Sequence, residues 1–376
     1  MNKTLEATLT LAGMIIGVGM FGVPFAFAAA GFWLGVLELL ILTAVTLSLH
    51  LLYAEVVLET SAIHRLPGYI KTYLGPKFSA LAWFSSFFGV SGSLLAYLLV
   101  GSAFLGNIFL FWGIEFNNFF WMIFIVVLVS AITFFPLRKE SLINGILTIL
   151  LIVFIFFLVA ILLPRAELAN FSGFNISEIL FPYGVLLFAL SGGIVIPDVV
   201  ILAGRNRASS RKAIIIGSLL PAILYLLFVM AVIGVSGQAI SEEALRGLRP
   251  FVGRGTMMLG SLVGFLAVFT SMVATSKYFQ EMLKFDFKMP GRAAWVAVSV
   301  LPVLLYALGF QSFILIIGAI GAVGVGIDSG LIIAANHKLR RRLNRPTSYK
   351  SFWWKGGILL MIFVGVIYEL YKFFGF

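Results

Sequence analysis

Apolar runs of about 20 residues, the length that crosses a hydrocarbon core as a helix, recur along the whole chain. Hydrophobic residues make up 61% of the 376 residues and charged residues only 11%. Every backbone amide and carbonyl in lipid must be paired within the protein, so these runs predict helices and an all-α integral membrane protein. Ending each run at a charged or Pro/Gly-rich flank gives eleven predicted spans. They lie near residues 8–30, 33–58, 79–112, 118–136, 142–163, 181–203, 213–235, 256–280, 293–310, 312–335 and 356–374.

The first run contains glycines and a proline that should break its helix. It reads "LTLAGMIIGVGMFGVPFAFAAAG", residues 9–31. Glycine weakens the helical ladder and proline removes one of its bonds, and the freed backbone groups are costly in lipid unless something pairs with them. A bound polar molecule can be that partner, so we predict ligand contacts at Gly17, Val18 and Gly19 near the middle of the membrane. The alternative is a close-packed glycine face with a simple proline kink.

A second copy of this pattern lies in the sixth predicted span. One offset of 173 residues superposes Gly19 on Gly192, Pro24 on Pro197 and Gly31 on Gly204. Because five spans separate the two copies, the second enters the membrane from the opposite side, which is an inverted repeat. We predict a first five-helix repeat at 1–163, an inverted second five-helix repeat at 164–335, and a basic loop with an eleventh helix at 336–376.

The second break predicts further ligand contacts at Ser191, Gly192 and Ile194. Asp198 directly follows Pro197, in the first turn of the next half-helix, where the helix dipole favours a carboxylate. It could contact a substrate ammonium or accept a proton. It could equally be a helix-capping acid near the cytoplasmic vestibule.

The net charge of +11 follows the membrane topology and does not indicate nucleic acid. With the N-terminus inside, most of the 26 basic residues fall in loops on that side, including the dense run at 336–350. This positive-inside bias predicts a cytoplasmic N-terminus and an external C-terminus in a cell inner membrane. The run at 336–350 could also attract anionic lipid head groups.

The segments "AGMIIGVGMFGVP" and "FALSGGIVIPDVV", on a chain with eleven predicted spans, resemble the APC superfamily. Its members have a LeuT-like five-plus-five inverted repeat with broken helices 1 and 6, here followed by an additional helix 11. The chain is most similar to the amino acid/auxin permease family, which includes the bacterial aromatic amino acid permeases. The resemblance implies ion-coupled symport of an amino acid by alternating access.

The resemblance also places the substrate between spans one, three, six and eight. Pocket candidates on those spans are Ser91, Gly92, Tyr97, Phe188 and Phe265, in addition to the residues of the two breaks. A neutral amino acid, with an aromatic one among the candidates, is favoured, because apart from the acid after the second break no mid-span acid–base cluster is available for a charged side chain. Thirty-eight phenylalanines do not indicate an aromatic substrate, since most must face lipid or fill helix contacts.

The eighth span contains "FLAVFTSMVAT", residues 265–275, which is similar to the segment that completes a sodium site in sodium-coupled members of this fold. Ala267, Thr270 and Ser271 lie at i, i+3 and i+4, so a carbonyl and two hydroxyls share one helix face. The resemblance adds the carbonyls of Gly13 and Ile16, giving five hard oxygens for Na⁺. The alternative is that both hydroxyls bond to carbonyls of their own helix.

Sodium is the preferred coupling ion, and the proton is the alternative, because the aromatic amino acid permeases look proton-driven as a group. A proton needs a buried titratable group, for which Asp198 and Asp328 are the candidates. Asp328 lies deep in the tenth span, where a carboxylate is expensive in lipid and should face protein or water. We expect His50 to be a packed or hydrogen-bonded histidine.

Other classes of protein fit the sequence less well. The chain has no cysteine and three histidines, and no H-E-x-x-H motif, so neither an enzyme nor a resident cofactor is predicted. A channel filter is not evident either. An amino acid sensor on the same fold that does not transport remains an alternative. The predicted partners are a small-molecule amino acid and the lipid bilayer, and the predicted oligomeric state is a monomer.

Overall fold

All the regular elements that the structure describes are helices. The computed structural model describes residues 3–135, 140–237, 239–285, 287–345 and 349–374. Within these ranges seven helices are long and apolar enough to cross a membrane, and a bent pair at the start of the chain makes an eighth. Helix covers each of the eleven predicted spans, so the all-α membrane architecture is confirmed and the number of crossings stays a prediction.

Fifteen α-helices occur in the described part of the chain. In chain order they are α1 (Lys3–Ile15), α2 (Gly19–Ala30), α3 (Phe32–Leu58), α4 (Leu66–Leu74), α5 (Pro76–Leu110), α6 (Asn118–Phe134), α7 (Glu140–Leu162), α8 (Phe181–Ala189), α9 (Ile196–Leu202), α10 (Arg207–Ser236), α11 (Leu245–Phe285), α12 (Gly291–Ala307), α13 (Phe313–Ala319), α14 (Gly326–Arg342) and α15 (Tyr349–Phe374).

The first predicted span is broken between α1 and α2. The axes of these two helices differ by 52°. The amide of Gly17 bonds to the carbonyl of Ile15 at 2.7 Å and not to the carbonyl four residues earlier, so the α-helical ladder ends there. The break therefore falls where the sequence predicted it.

The sixth predicted span is broken between α8 and α9, with one 3₁₀ turn at Gly193–Val195 between them. Pro197 lies in the first turn of α9, where its missing N–H costs no helical bond. A Cβ placed on Gly19 would lie 2.7 Å from the Cα of Ala189. Only a glycine lets the start of α2 come this close to the end of α8, and the two breaks consequently lie side by side.

The tenth predicted span also departs from a regular α-helix. A π-helical turn at Ile320–Val325 joins α13 to α14. A Cβ on Gly321 would overlap the carbonyl oxygen of Gly184 in α8. The backbones of span ten and α8 are thus in direct contact beside the breaks.

Ion pairs link the ends of α3, α10 and α14 at one end of the bundle, which we name the ionic face. Glu59, just after α3, lies 2.9 Å from Arg207 at the start of α10 and 2.7 Å from Arg345 beyond α14. Glu55 lies 3.4 Å from Arg340. Charged groups of this density need water or head groups around them, so this end of the bundle lies outside the hydrocarbon core.

The outer surface of the bundle is apolar. On α3 the side chains of Trp33, Leu37 and Leu40 are 64%, 54% and 61% exposed, whereas Leu39 and Leu42 are buried. The exposed residues are spaced by four and three positions and so share one helix face. In a bilayer this face contacts lipid tails, which explains why large apolar side chains are exposed there.

Candidate functional site

One tyrosine holds the ends of both broken helices. Tyr225 of α10 is fully buried. Its hydroxyl lies 3.0 Å from the carbonyl oxygen of Ala189 and closer still to that of Ile15. Ile15 and Ala189 are the last residues of α1 and α8, whose carbonyls lose their helical partners at the breaks. A single donor from a third helix is therefore shared by both carbonyls, and that of Ile15 also accepts the amide of Gly17.

His50 of α3 fixes the second break from the other side. Its Nε2 accepts the backbone N–H of Gly192 at 3.1 Å, and its Nδ1 lies 3.1 Å from the hydroxyl oxygen of Ser218 on α10. Because Nε2 accepts, the ring proton of a neutral imidazole must sit on Nδ1, where it donates to that hydroxyl. His50 is thus a buried, hydrogen-bonded residue, as expected.

A cavity of about 150 Å³ lies between the two breaks. Both unwound segments line it, and so do α3, the first half of α5, and the start of α14. A cavity of this volume is large enough for one aromatic ring. Its polar wall residues include Thr46, His50, Tyr53, Ser85, Ser86, Ser93, Tyr97, Ser191, Thr275, Tyr278, Asp328 and Ser329.

Seven of the ten predicted substrate contacts line this cavity, namely Gly17, Val18, Gly19, Tyr97, Phe188, Ser191 and Ile194. Ser91, Gly192 and Asp198 do not line it, and neither do Gly92 and Phe265. The lining residues on α5 recur along one helix face and are Ser85, Ser86, Gly89, Val90, Ser93 and Tyr97. Ser91 lies two positions from Ser93 and so points away from that face. Gly192 packs against α1 instead, where a Cβ would meet the side chain of Leu11 at 2.5 Å.

Asp198 lies in a second, larger cavity on the side of the ionic face. Its carboxylate accepts a hydrogen bond from Arg65 at 2.7 Å, and both side chains are about two-fifths exposed. The guanidinium of Arg65 also lies 5.3 Å from the ring centre of Tyr278. Burial alone lowers the pKa of Arg65, but the neighbouring carboxylate outweighs this and raises the pKa above its usual value.

Four residues separate the two cavities. Met14, Ile194, Thr275 and Tyr278 line both of them, so they form a partition that is one side chain thick. The ion pair described above stands directly beyond this partition. A molecule in the central cavity must therefore pass the partition and the ion pair to reach the ionic face.

Asp328 is the acid in the wall of the central cavity. Its Oδ1 is buried without a hydrogen-bond partner among the described residues. Ser85, on the facing helix α5, donates its hydroxyl to the carbonyl of Gly324 at 2.8 Å, one turn before Asp328. No lysine or arginine of the described chain forms an ion pair with this carboxylate, so its charge has no fixed counterion.

The predicted sodium ligands are engaged within their own helix. Thr270 donates to the carbonyls of Leu266 and Ala267, at 3.0 and 3.1 Å, and Ser271 donates to Ala267 at 2.9 Å. Each hydroxyl keeps lone pairs that can still bind an ion. On α1, Gly13 faces Thr148 of α7, whose Oγ1 would lie 2.5 Å from a Cβ at that glycine. Ile16 is buried beside it, and the sodium site stays a prediction.

The described residues contain no group of three or more histidines, aspartates or glutamates arranged to hold a metal ion. The site is therefore a cleft between helix ends with a single acid, Asp328, in its wall. Such a cleft suits a small zwitterionic ligand better than a metal-assisted reaction. Comparison with known proteins agrees, because the model of the tryptophan/tyrosine permease family matches residues 1–372.

The chain belongs to the tryptophan/tyrosine permease family. The permease is thus an amino acid transporter of the membrane and not an enzyme. The match supports an aromatic amino acid permease, whereas the amino acid/auxin permease label stays a prediction.

Relatives of this permease span nearly its whole length. The tyrosine-specific transport system 1 of Haemophilus influenzae is 24% identical, over 96% of this chain and 94% of that protein. Glutamine transporter 2 of Aliivibrio fischeri is 22% identical, over 90% of each. Among solved structures, a nucleobase-cation-symport-1 family transporter in a closed conformation with bromovinylhydantoin bound superposes with a TM-score of 0.69. It is 12% identical, over 97% of this chain and 91% of that one. These neighbours support the predicted LeuT-like fold.

Sequence reasoning missed Tyr225, although a signal was available. It stands in "PAILYLLFVM", where a phenol hydroxyl at mid-membrane depth must find a partner. Which partner it finds depends on how α10 packs against α1 and α8, and a single sequence does not contain that information.

Proposed function

We propose that the permease carries an aromatic amino acid, tryptophan or tyrosine, across the inner membrane by alternating access. The observation that carries the proposal is the ring-sized cavity between the two helix breaks. Half-helix α2 begins at Gly19 beside this cavity, and the N-terminal end of a helix favours a carboxylate. The carbonyl ends of α1 and α8 favour an ammonium. The carboxylate and the ammonium of the substrate would therefore bind at the breaks.

The side chain of the substrate would lie against aromatic walls. Tyr53, Tyr97, Phe188 and Tyr278 line the cavity, and aromatic rings attract each other in edge-to-face and offset arrangements. Hydroxyls of α5 face the same space, where the polar group of tyrosine or tryptophan can find a partner. Glutamine, which one relative is named for, would leave this aromatic wall without a matching surface.

For the coupling ion we favour the proton over sodium, on one specific observation. Asp328 stands in the cavity wall with an unpaired Oδ1 and no ion pair, so it can take up a proton where the substrate binds. A carboxyl that is protonated with the substrate and deprotonated after its release couples the two movements. Asp198 is a weaker candidate, because Arg65 holds it in the outer cavity. Sodium at the predicted site is the competing proposal.

The orientation that we propose places the N-terminus and the ionic face in the cytoplasm and the C-terminus outside, with eleven crossings and a monomeric chain. Basic loops at the ionic face support it through the positive-inside bias. In this orientation the partition and the Arg65–Asp198 pair close the cytoplasmic exit from the central cavity.

The test is uptake of labelled tryptophan, tyrosine and glutamine into proteoliposomes under an imposed proton gradient, a sodium gradient or neither. We expect accumulation of tryptophan or tyrosine with the proton gradient alone. Asp328→Asn should retain exchange across the membrane but lose accumulation, whereas Asp198→Asn should keep accumulation that depends on the proton gradient, at a level lowered by leak through the weakened exit barrier. Sodium-driven accumulation would contradict proton coupling and would indicate that Na⁺ binds at the Thr270–Ser271 site. Binding of tryptophan without any uptake would indicate a sensor and contradict transport.

A further inference from the structure

A carboxylate outside the central cavity is buried in the joint between α15 and the broken span. Glu369 of α15 is 4% exposed and does not line the cavity. A Cβ placed on Gly184 of α8 would lie 2.8 Å from its Oε1, and one placed on Gly318 of α13 would lie 3.1 Å from it. The two glycines thus leave the space that this carboxylate occupies.

Glu369 forms no ion pair within the described chain, and Lys372 acts on its charge only through space. Its Oε1 is buried without a hydrogen-bond partner. The same Cβ position on Gly184 would lie 2.4 Å from the carbonyl oxygen of Gly318, so a second acceptor stands next to the carboxylate. The ammonium of Lys372, one turn further along α15, lies 3.7 Å from the ring centre of Phe181 and forms no ion pair with Glu369. Two acceptors therefore lie together, and no donor is bonded to Oε1 of the carboxylate.

The titratable groups around Glu369 come from α8, α15, α3 and the turn before α8. The hydroxyl of Tyr183 and both oxygens of Glu38 are also buried without partners in the described chain, and Tyr368 lies 3.5 Å from Glu178 Oε2. Neither α13 nor the π turn carries a titratable side chain, and the acid of α14 faces the central cavity. The groups that face Glu369 are Tyr183, Tyr368, Lys372, Glu178 and Glu38.

We propose that Glu369 is a proton-binding site, separate from the substrate cavity, that fastens α15 to α8. A neutral carboxyl group supplies an O–H donor for the carbonyl of Gly318, and its other oxygen can accept the hydroxyl of Tyr183. An ionised carboxylate left here would be buried without an ion-pair partner, which is strongly unfavourable. Loss of the proton consequently loosens the contact between α15 and α8.

Two further contacts show that α15 holds this particular half-helix. A Cβ on Gly365 of α15 would overlap the ring of Tyr183, so the ring lies flat against the backbone of α15. Lys372 stacks on Phe181, the first residue of α8. The protonated Glu369 stands between these contacts along α15. Its proton therefore sets how firmly the first half of the broken sixth span is held.

Infrared spectroscopy of the full chain in lipid bilayers tests proton binding without any transport assay. One component of the carbonyl stretch of protonated carboxylic acids should be present in the wild type, be missing from the spectrum of Glu369→Gln, and fade as the pH is raised. The matched control Glu178→Gln, at the same edge of the bundle, should keep the band. Identical spectra for wild type and Glu369→Gln at every pH would overturn the proposal. A titration that shifts with sodium concentration would also overturn it, by assigning the site to Na⁺.

Thermal unfolding of the purified permease gives a second readout. The wild type should lose stability as the pH rises through the titration of the band, whereas Glu369→Gln should keep the low-pH stability throughout. The same pH dependence in both proteins would overturn the fastening role. If Glu369→Gln fails to fold, Glu369→Asp keeps the acid, and its band should be present but titrate at a different pH. Neither measurement uses substrate, so the result stands apart from the proposed transport.

Discussion

Replacing Tyr225 by phenylalanine removes one hydroxyl and leaves the buried ring in place. That hydroxyl is shared by the carbonyls of Ile15 and Ala189, so the variant deprives both broken helices of the same donor. A neutral hydrogen bond contributes about 0.5–1.5 kcal/mol net, and a buried acceptor left unpaired costs about 1–3 kcal/mol. Since the ring still fills its site, we expect a loss of about 2 kcal/mol. That corresponds to roughly 30-fold in an equilibrium constant.

The assay is an unfolding titration in mixed micelles, combined with equilibrium binding of tryptophan. Tyr225→Phe should unfold at a lower denaturant fraction and bind tryptophan more weakly, because the ends of the half-helices shape the cavity. Tyr69→Phe is the matched control, since Tyr69 is fully buried and its hydroxyl bonds to neither helix break. If the two variants unfold and bind alike, the hydroxyl of Tyr225 does not hold the breaks and the reasoning is refuted.

Four further variants test the rest of the site. Gly19→Leu should insert into the membrane but bind no tryptophan, because its side chain would enter the backbone of α8; normal binding would contradict the side-by-side breaks. Arg65→Ala and Asp198→Ala should each change stability by less than about 1 kcal/mol, since the pair is partly exposed, yet both should raise passive substrate leak from loaded vesicles. An unchanged leak would show that the pair is no barrier. The double variant Thr270→Ala and Ser271→Ala should leave proton-driven uptake intact, and its loss would favour the sodium proposal.

The two breaks were predictable from the sequence because glycine and proline act locally on the helical ladder. The residues that hold the breaks were not, because Tyr225 and His50 reach them from other helices. The same limit explains why the sequence did not predict that Asp198 lies outside the central cavity. Its place after Pro197 was correctly predicted, but its partner Arg65 lies in a distant loop, and that contact keeps the carboxylate outside the central cavity.

The sequence correctly predicted that α5 lines the central cavity, but it identified only some of the α5 residues that do so. Tyr97 lines the cavity, and Ser91 does not. Helical spacing links Tyr97 with Ser93 and Gly89, so one correct residue would have sufficed to choose the face. Without a known contact, however, periodicity fixes which residues lie together and leaves open what they lie against.

The shared hydroxyl of Tyr225 also bears on how easily the molecule can change shape. One O–H carries one proton, so it can serve only one acceptor fully at a time. If α1 swings away from α8, the proton follows one carbonyl and the other is left to water in the widened gap. The separation then exchanges hydrogen-bond partners and leaves their number nearly unchanged, so the two arrangements differ little in energy. Because α1 and α8 share one hydroxyl proton, their contact is strong enough to define the site. It is also weak enough to open at thermal energies.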